Sequence, residues 1–246
     1  MSAAVDYRTD YKKRMARNEE KIDIVLRFLR DEYCTTAEMV AQLLGVEAIQ
    51  PVYRFLNKMT DKGYLRHHNF MIEGRSVRLW GLTPHGVAFS FADDEPLEDL
   101  TAFQPSSVAV STLAHKLDIQ RTRLRMEARG ATNWRYMNAL KSNGLKQPDA
   151  LATVDGKTLA FEIERTVKSR KRYKEIVSNY LFNRKAHGID EIWYICPDAR
   201  SRLRVEKAIT GVDEIVHPTT GEARKTATLD PARLFAPFKF KTLEEL

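Results

Sequence analysis

The stretch QPDALATVDGKTLAFEIERT, Gln147–Thr166, decides the fold of the second half of the chain. Asp155-Gly156 at its centre is a strong turn signal and predicts a hairpin of two strands. A Pro-Asp opens the first strand and places Asp149 at its start. Glu162 and Glu164 close the second. Residues two apart on a strand point to the same face. The two glutamates therefore lie side by side, an arrangement in which like charges repel. Something positive must offset them, and a divalent metal is the obvious candidate.

The flanking segments complete an α/β pattern. SSVAVSTLAHKLDIQRTRLRMEARG reads as a long helix ending at Gly130, with Leu113, Leu117 and Leu124 on one stripe and His115, Ile119 and Met126 on a second. ATNWRYM reads as a strand. After the hairpin, SRKRYKEIVSNYLFNRKAHG reads as a helix with Tyr173, Ile176, Val177, Tyr180 and Leu181 on its apolar side. DEIWYICP reads as a buried strand, DARSRLRVEKAI as a helix and DEIVHP as a strand. This order predicts an α/β core around a mixed sheet.

The first ninety residues form a different pattern. NEEKIDIVLRFLRDEY has helical spacing. In TTAEMVAQLLGV, Thr35 and Glu38 match a capping box, and Gly45 stops the helix. EAIQPVYRFLNKMTDKGYL starts near Ile49, because Pro51 is tolerated only in a first turn. Val52, Phe55, Leu56 and Met59 form its buried stripe, leaving Gln50, Tyr53, Arg54, Asn57 and Lys58 outside. YLRHHNFMIEGRSVRLWGLTPHG reads as a hairpin followed by a short helix. Three helices and a hairpin in this order make a winged helix-turn-helix. Its third helix enters the major groove, and Gln50, Arg54, Asn57 and Lys58 suit base edges or phosphates. Arg66 and Arg75 fall on the wing. His67 and His68 are neighbours on a strand and face opposite ways, so they do not share an ion.

The chain is thus read as α+β with two domains: a winged helix over 1–91, an acidic linker over 92–107 and an α/β domain over 108–246. The 246 residues, 43% of them hydrophobic, suffice for both cores. A net charge of +7 favours a polyanionic partner. The run RTVKSRKRYK places Arg165, Lys168, Arg170, Lys171, Arg172 and Lys174 where they would hold a DNA backbone. No apolar run reaches membrane-spanning length. Two cysteines without a pairing motif, Cys34 and Cys196, fit a reducing cytoplasm.

A helix, a strand opening on Pro-Asp, a strand with acids two apart and then a basic helix together resemble the PD-(D/E)xK nuclease fold. Glu164 stands where that fold usually has lysine. With the N-terminal module and the HKLD of the connecting helix, the chain more closely resembles the replication-relaxation proteins, and within them MobC-type relaxases of mobilisable plasmids. The resemblance implies a metal-dependent single-strand nick in duplex DNA at an origin of transfer. It implies Mg2+ or Mn2+ on Asp149, Glu162 and Glu164, and functional roles for His115, Arg165 and Tyr180. Accessory relaxosome proteins and a coupling protein are the implied partners.

The chemistry supports the assignment of the acids. Cutting a phosphodiester needs an in-line nucleophile and charge relief at phosphate, and an ion on carboxylates serves both. Rejoining usually needs a covalent intermediate, for which Tyr180 or Tyr173 would serve, whereas hydrolysis needs only water. Two other readings stay open: an endonuclease that hydrolyses without rejoining, and a DNA-binding replication regulator without activity.

Overall fold

The computed structural model describes residues 7–92, 94–96, 98–137, 147–217 and 220–246. The start of the expected first domain, linker positions 93 and 97, and Pro218 of the last expected strand lie outside them. The chain divides into two compact units, Met1–Leu117 and Asp118–Leu246.

The first unit contains helices α1 (Tyr7–Glu32), α2 (Ala37–Leu43) and α3 (Ile49–Asp61), then strands β1 (Leu65–Ile72) and β2 (Arg75–Leu82), then α4 (Pro84–Ala88). Val25, Leu26 and Leu29 of α1, Val40 of α2 and Val52, Leu56 and Met59 of α3 bury against Leu65 and Trp80 of the hairpin. This is the apolar face that the helical spacing defines. The turn between the strands holds only Glu73 and Gly74, both at positive φ, with Ile72 paired to Arg75.

The cap of α2 falls on Thr36, whose hydroxyl accepts from the Met39 N–H at 3.3 Å, and not on Thr35. Thr35 is occupied elsewhere: it exchanges two backbone hydrogen bonds of 2.9 Å with Trp80. Tyr53 also departs from the sequence reading. It is half-buried and packs edge-on against Trp80, ring centroids 5.6 Å apart.

Part of the acidic stretch after α4 is tied to this unit. The Phe103 N–H donates to the Leu82 carbonyl at 2.8 Å, and Arg30 pairs with Glu95 at 2.8 Å. Phe103 lies over Gly81, where an added Cβ would meet its ring at 2.3 Å and the Tyr33 carbonyl at 2.7 Å. Only glycine admits this approach.

Helix α5 (Val110–Glu127) runs across the division between the units. The second unit then continues with β3 (Thr132–Tyr136), β4 (Ala150–Val154), β5 (Lys157–Ile163), α6 (Arg170–Asn183), β6 (Glu191–Cys196), α7 (Ala199–Thr210), β7 (Glu214–Val216), β8 (Ala223–Lys225), α8 (Pro231–Leu234) and β9 (Phe238–Thr242). The five-stranded mixed sheet has the order β3-β4-β5-β6-β9. The pairs β3–β4 and β4–β5 are antiparallel, and β5–β6 and β6–β9 are parallel. Asp155 and Gly156 make the predicted two-residue turn, with φ of 49° and 75°.

One face of the sheet packs on Tyr173, Ile176, Val177 and Tyr180 of α6 and on Val205 and Ile209 of α7. The other packs on Ile119 and Met126 of α5. The strand expected in DEIVHP forms, but β7 pairs with β8 in a separate hairpin. The fifth place in the main sheet goes to β9, which lies parallel to β6 and follows α7 at the distance a parallel crossover needs.

Candidate functional site

The acids lie on the α6–α7 face of the sheet, where β4 begins and β5 ends. Asp149 precedes β4. Its N–H donates to the Phe161 carbonyl at 2.9 Å, and its carboxylate accepts from the Ile163 N–H at 2.7 Å. The hairpin thereby fixes Asp149 against the end of β5. Glu162 and Glu164 project from the same side and are 6% and 3% exposed. Glu162 lies in register with Tyr194 on β6, and the Glu164 N–H continues the pairing to the Ile195 carbonyl at 2.9 Å.

Each carboxylate meets a donor from the protein. The Tyr180 hydroxyl donates to Glu162 Oε1. Lys168 Nζ pairs with Glu164 Oε2. The backbone of Lys168 donates to the Tyr173 hydroxyl at 3.2 Å. The Tyr194 hydroxyl, on the fully buried Tyr194 side chain, has no hydrogen-bond partner among the described residues.

The electrostatics follow from burial beside these acids. Burial, then Glu162, raises the Tyr180 hydroxyl well above its ordinary pKa. Burial, then Glu162 and Glu164, does the same to Tyr194. Tyr173 is raised by burial and by Glu164, against the opposing Lys168 N–H. Burial and Glu164 push the Cys196 thiol up to about 12. These groups stay neutral, because ionising any of them in a buried setting beside a carboxylate costs too much. Tyr180 is fully buried, with its hydroxyl already committed to Glu162. Such a tyrosine is built to orient a carboxylate; a nucleophile needs access and a lowered pKa.

The opposite face of the sheet carries a partner set that the sequence reading left unassigned. Asp118 of α5, 3% exposed, pairs with Arg165 just past β5 and with Arg121 at 2.7 Å. Tyr194 was missed as a neighbour of the acids, and Lys168 was read as a DNA contact and not as the partner of Glu164. The signal for Tyr194 was available, because DEIWYICP had to pair with the acidic strand.

The basic run is largely compensated. Besides Arg165 and Lys168, Arg170 pairs with Asp213 at 2.7 Å, Arg172 with Glu175 at 2.9 Å, and Lys174 with Glu214. Lys171 has no ion pair among the described residues. In the first unit, Gln50, Arg54, Asn57 and Lys58 are all exposed on α3, and none of them has an ion pair among the described residues. Arg75 is exposed where the β1–β2 turn closes. Arg66 is half-buried, and its Nε and Nη2 are closed off from solvent without a hydrogen-bond partner among the described residues. His115 is half-buried on the part of α5 that belongs to the first unit, whereas Asp149, Glu162 and Glu164 belong to the second.

Among the described residues, no three of His, Cys, Asp and Glu are grouped so as to hold one metal ion. The donor chemistry suits magnesium or manganese, which take carboxylate oxygens. The oxygens stand paired to Ile163 N–H, Tyr180 and Lys168, so an ion would compete with a tyrosine hydroxyl and an ammonium group. No described helix is long and apolar enough to cross a membrane.

The molecule is therefore an α+β protein of two units, one presenting an open basic helix and the other carrying Asp149, Glu162 and Glu164 at the ends of adjacent strands. The model of the replication-relaxation family matches residues 26–192, more than half of the chain, and the protein belongs to that family. It is also 47% identical over 58 residues to the mobilization protein MobB of Escherichia coli. That match covers 23% of this chain and 38% of MobB, so the chain spans well under half of that relative. Among solved structures, apo Lactococcus lactis ZitR, a double mutant, aligns over 37% of this chain and 68% of its own, with 20% identity and a TM-score of 0.26. A score that low establishes no common fold.

Proposed function

We propose that the protein acts in plasmid mobilisation as a relaxase, binding origin-of-transfer duplex through the first unit and nicking one strand at the carboxylate cluster of the second. Family membership and the MobB likeness support the mobilisation role. The observation that supports the nicking role is the placement of Asp149, Glu162 and Glu164 on one face, at the start of β4 and the end of β5. In this reading the first unit is a winged helix with α3 in the major groove, and the second is a PD-(D/E)xK-type core with Glu164 in the usual lysine position.

Asp149 and Glu162 would hold Mg2+ or Mn2+. When bound, such an ion supplies charge relief at the phosphate and a more acidic water. The chain's own groups do the rest. Tyr180 orients Glu162 from α6, on the same face of the sheet. Glu164 accepts a proton from the attacking water. Lys168, beside Glu164, holds that carboxylate in place and adds positive charge near the phosphate. Water is the nucleophile, in keeping with the buried, neutral Tyr180. Accessory relaxosome proteins, a coupling protein and a cytoplasmic site of action complete the proposal.

The test is a nicking assay on supercoiled plasmid carrying candidate origins, with and without magnesium. Magnesium-dependent nicking at one site supports the reading. Scattered or double-strand cuts favour a plain endonuclease, and no cutting favours a regulator without activity.

A further inference from the structure

The acid-facing side of α6 is only one of its two built sides. Lys171, Lys174, Glu175, Ser178 and Asn179 follow one another at helical spacing along the next face. With Val216, His217 and Gly221 from the β7–β8 hairpin they line a pocket of about 490 Å³. The volume lies in the range of small-ligand sites. Its walls are fixed. Buried Ser178 accepts from the Val216 N–H at 2.9 Å, and Lys174 pairs with Glu214 beneath the rim. The His217 ring is braced against Phe182, with centroids 4.7 Å apart, and its Nδ1 accepts from the Thr220 N–H at 3.3 Å.

We infer that this pocket takes one nucleotide of single-stranded DNA, a site separate from the carboxylate cluster on the other side of the same helix. The inference rests on the reading of the protein as a DNA-processing one. The chemistry selects this ligand in three ways. Lys171, without an ion pair among the described residues, is a cation at the rim for a backbone phosphate. Asn179 offers an amide, which can both donate to and accept from a base edge. The braced imidazole of His217 gives a flat face for base stacking, a contact that every base can make. Glu175, held by Arg172 at 2.9 Å, keeps a carboxylate in the lining. In a protein that processes DNA the occupant is a continuous strand rather than a free nucleotide. A strand separated beside the acids would have its next nucleotides held on the flank of α6.

The probe is a short fluorescent thymidine oligonucleotide, titrated by anisotropy against the full chain and against its Lys171→Glu and Asn179→Ala variants. Both side chains stand on the pocket side of α6 and away from its core face, so circular dichroism should match wild type. Each variant should weaken oligonucleotide binding by roughly fivefold to tenfold, and Asn179→Ala should leave duplex affinity unchanged. A 5-iodouracil oligonucleotide should cross-link to the peptide carrying His217. Unchanged oligonucleotide affinity in both variants overturns the inference, as does an equal loss for duplex in Asn179→Ala, a cross-link confined to another peptide, or full displacement by thymidine monophosphate at concentrations comparable to those of the oligonucleotide. The two proposals fail separately. Oligonucleotide binding here by a protein that never nicks removes the nicking reading and leaves the pocket. Nicking by a protein whose variants bind the oligonucleotide normally does the reverse.

Discussion

The open side of α3 and the basic run leading into α6 look alike in sequence and are built differently. Arg54 and Lys58 stand exposed with no ion pair among the described residues. Arg165 and Lys168 are anchored on carboxylates that are only 3% exposed, Asp118 and Glu164. Arg170 and Arg172 fall between these cases, since their partners are as exposed as they are. An exposed ion pair contributes about 0–1 kcal/mol and exchanges readily. A base held on a buried carboxylate does not exchange, because freeing it strands a charge inside the protein. A basic residue in sequence is thus a contact for DNA only when its charge is not already used.

This contrast can be broken first at α3. Arg54→Ala or Asn57→Ala should each weaken specific duplex binding by about 1–3 kcal/mol, measured by anisotropy at matched salt. Lys58→Ala should weaken all duplexes alike and lower the salt slope by about one. Wild-type affinity in all three variants would remove α3 from DNA recognition.

Arg165→Ala sharpens the other side of the contrast. It should cost about 1–3 kcal/mol of folding stability, since buried Asp118 loses a charged partner. It should leave the salt slope of duplex binding unchanged. A slope that drops as far as that of Lys58→Ala would mean that Arg165 contacts phosphate.

Tyr180→Phe keeps the ring and removes only the hydroxyl. Nicking should persist within about tenfold, or roughly 1.4 kcal/mol of barrier. A DNA end that stays covalently attached to the wild-type protein and not to this variant would reinstate tyrosine as the nucleophile.

The smallest effect concerns the thiols. Burial raises Cys34 to about 11 and Cys196 to about 12, from 9.0. Both should resist iodoacetamide in mildly alkaline buffer until the chain unfolds. Their folded values lie above the unfolded one, so the stability they contribute is present below pH 9.0 and is lost as pH rises towards 12. Rapid labelling of native protein would contradict this burial.

Much of the architecture was legible because it is written locally. The turn at Asp155-Gly156, the start of α3 at Ile49 and the shared face of Glu162 and Glu164 each follow from residues within a few positions of one another. What was illegible depends on partners far apart in the chain. Asp118, Asp213 and Glu214 neutralise bases forty or so residues away, and no window over RTVKSRKRYK contains them. The β9 strand closes the sheet from the C-terminal end, whereas the more strand-like DEIVHP pairs only with its own hairpin. The cap at Thr36 moved by one position because Trp80, far along the chain, takes up the Thr35 backbone.

The central claim is that binding and chemistry are divided, with duplex held by α3 and the strand cut at the acids. Glu162→Gln tests it most directly, because the amide keeps the size of the side chain and can still accept from Tyr180. Nicking of supercoiled origin plasmid and affinity for the same origin duplex should be measured on one preparation. The account predicts that nicking falls by several orders of magnitude while duplex affinity stays at the wild-type value. Nicking at the wild-type rate, or loss of both properties in a folded protein, would contradict it.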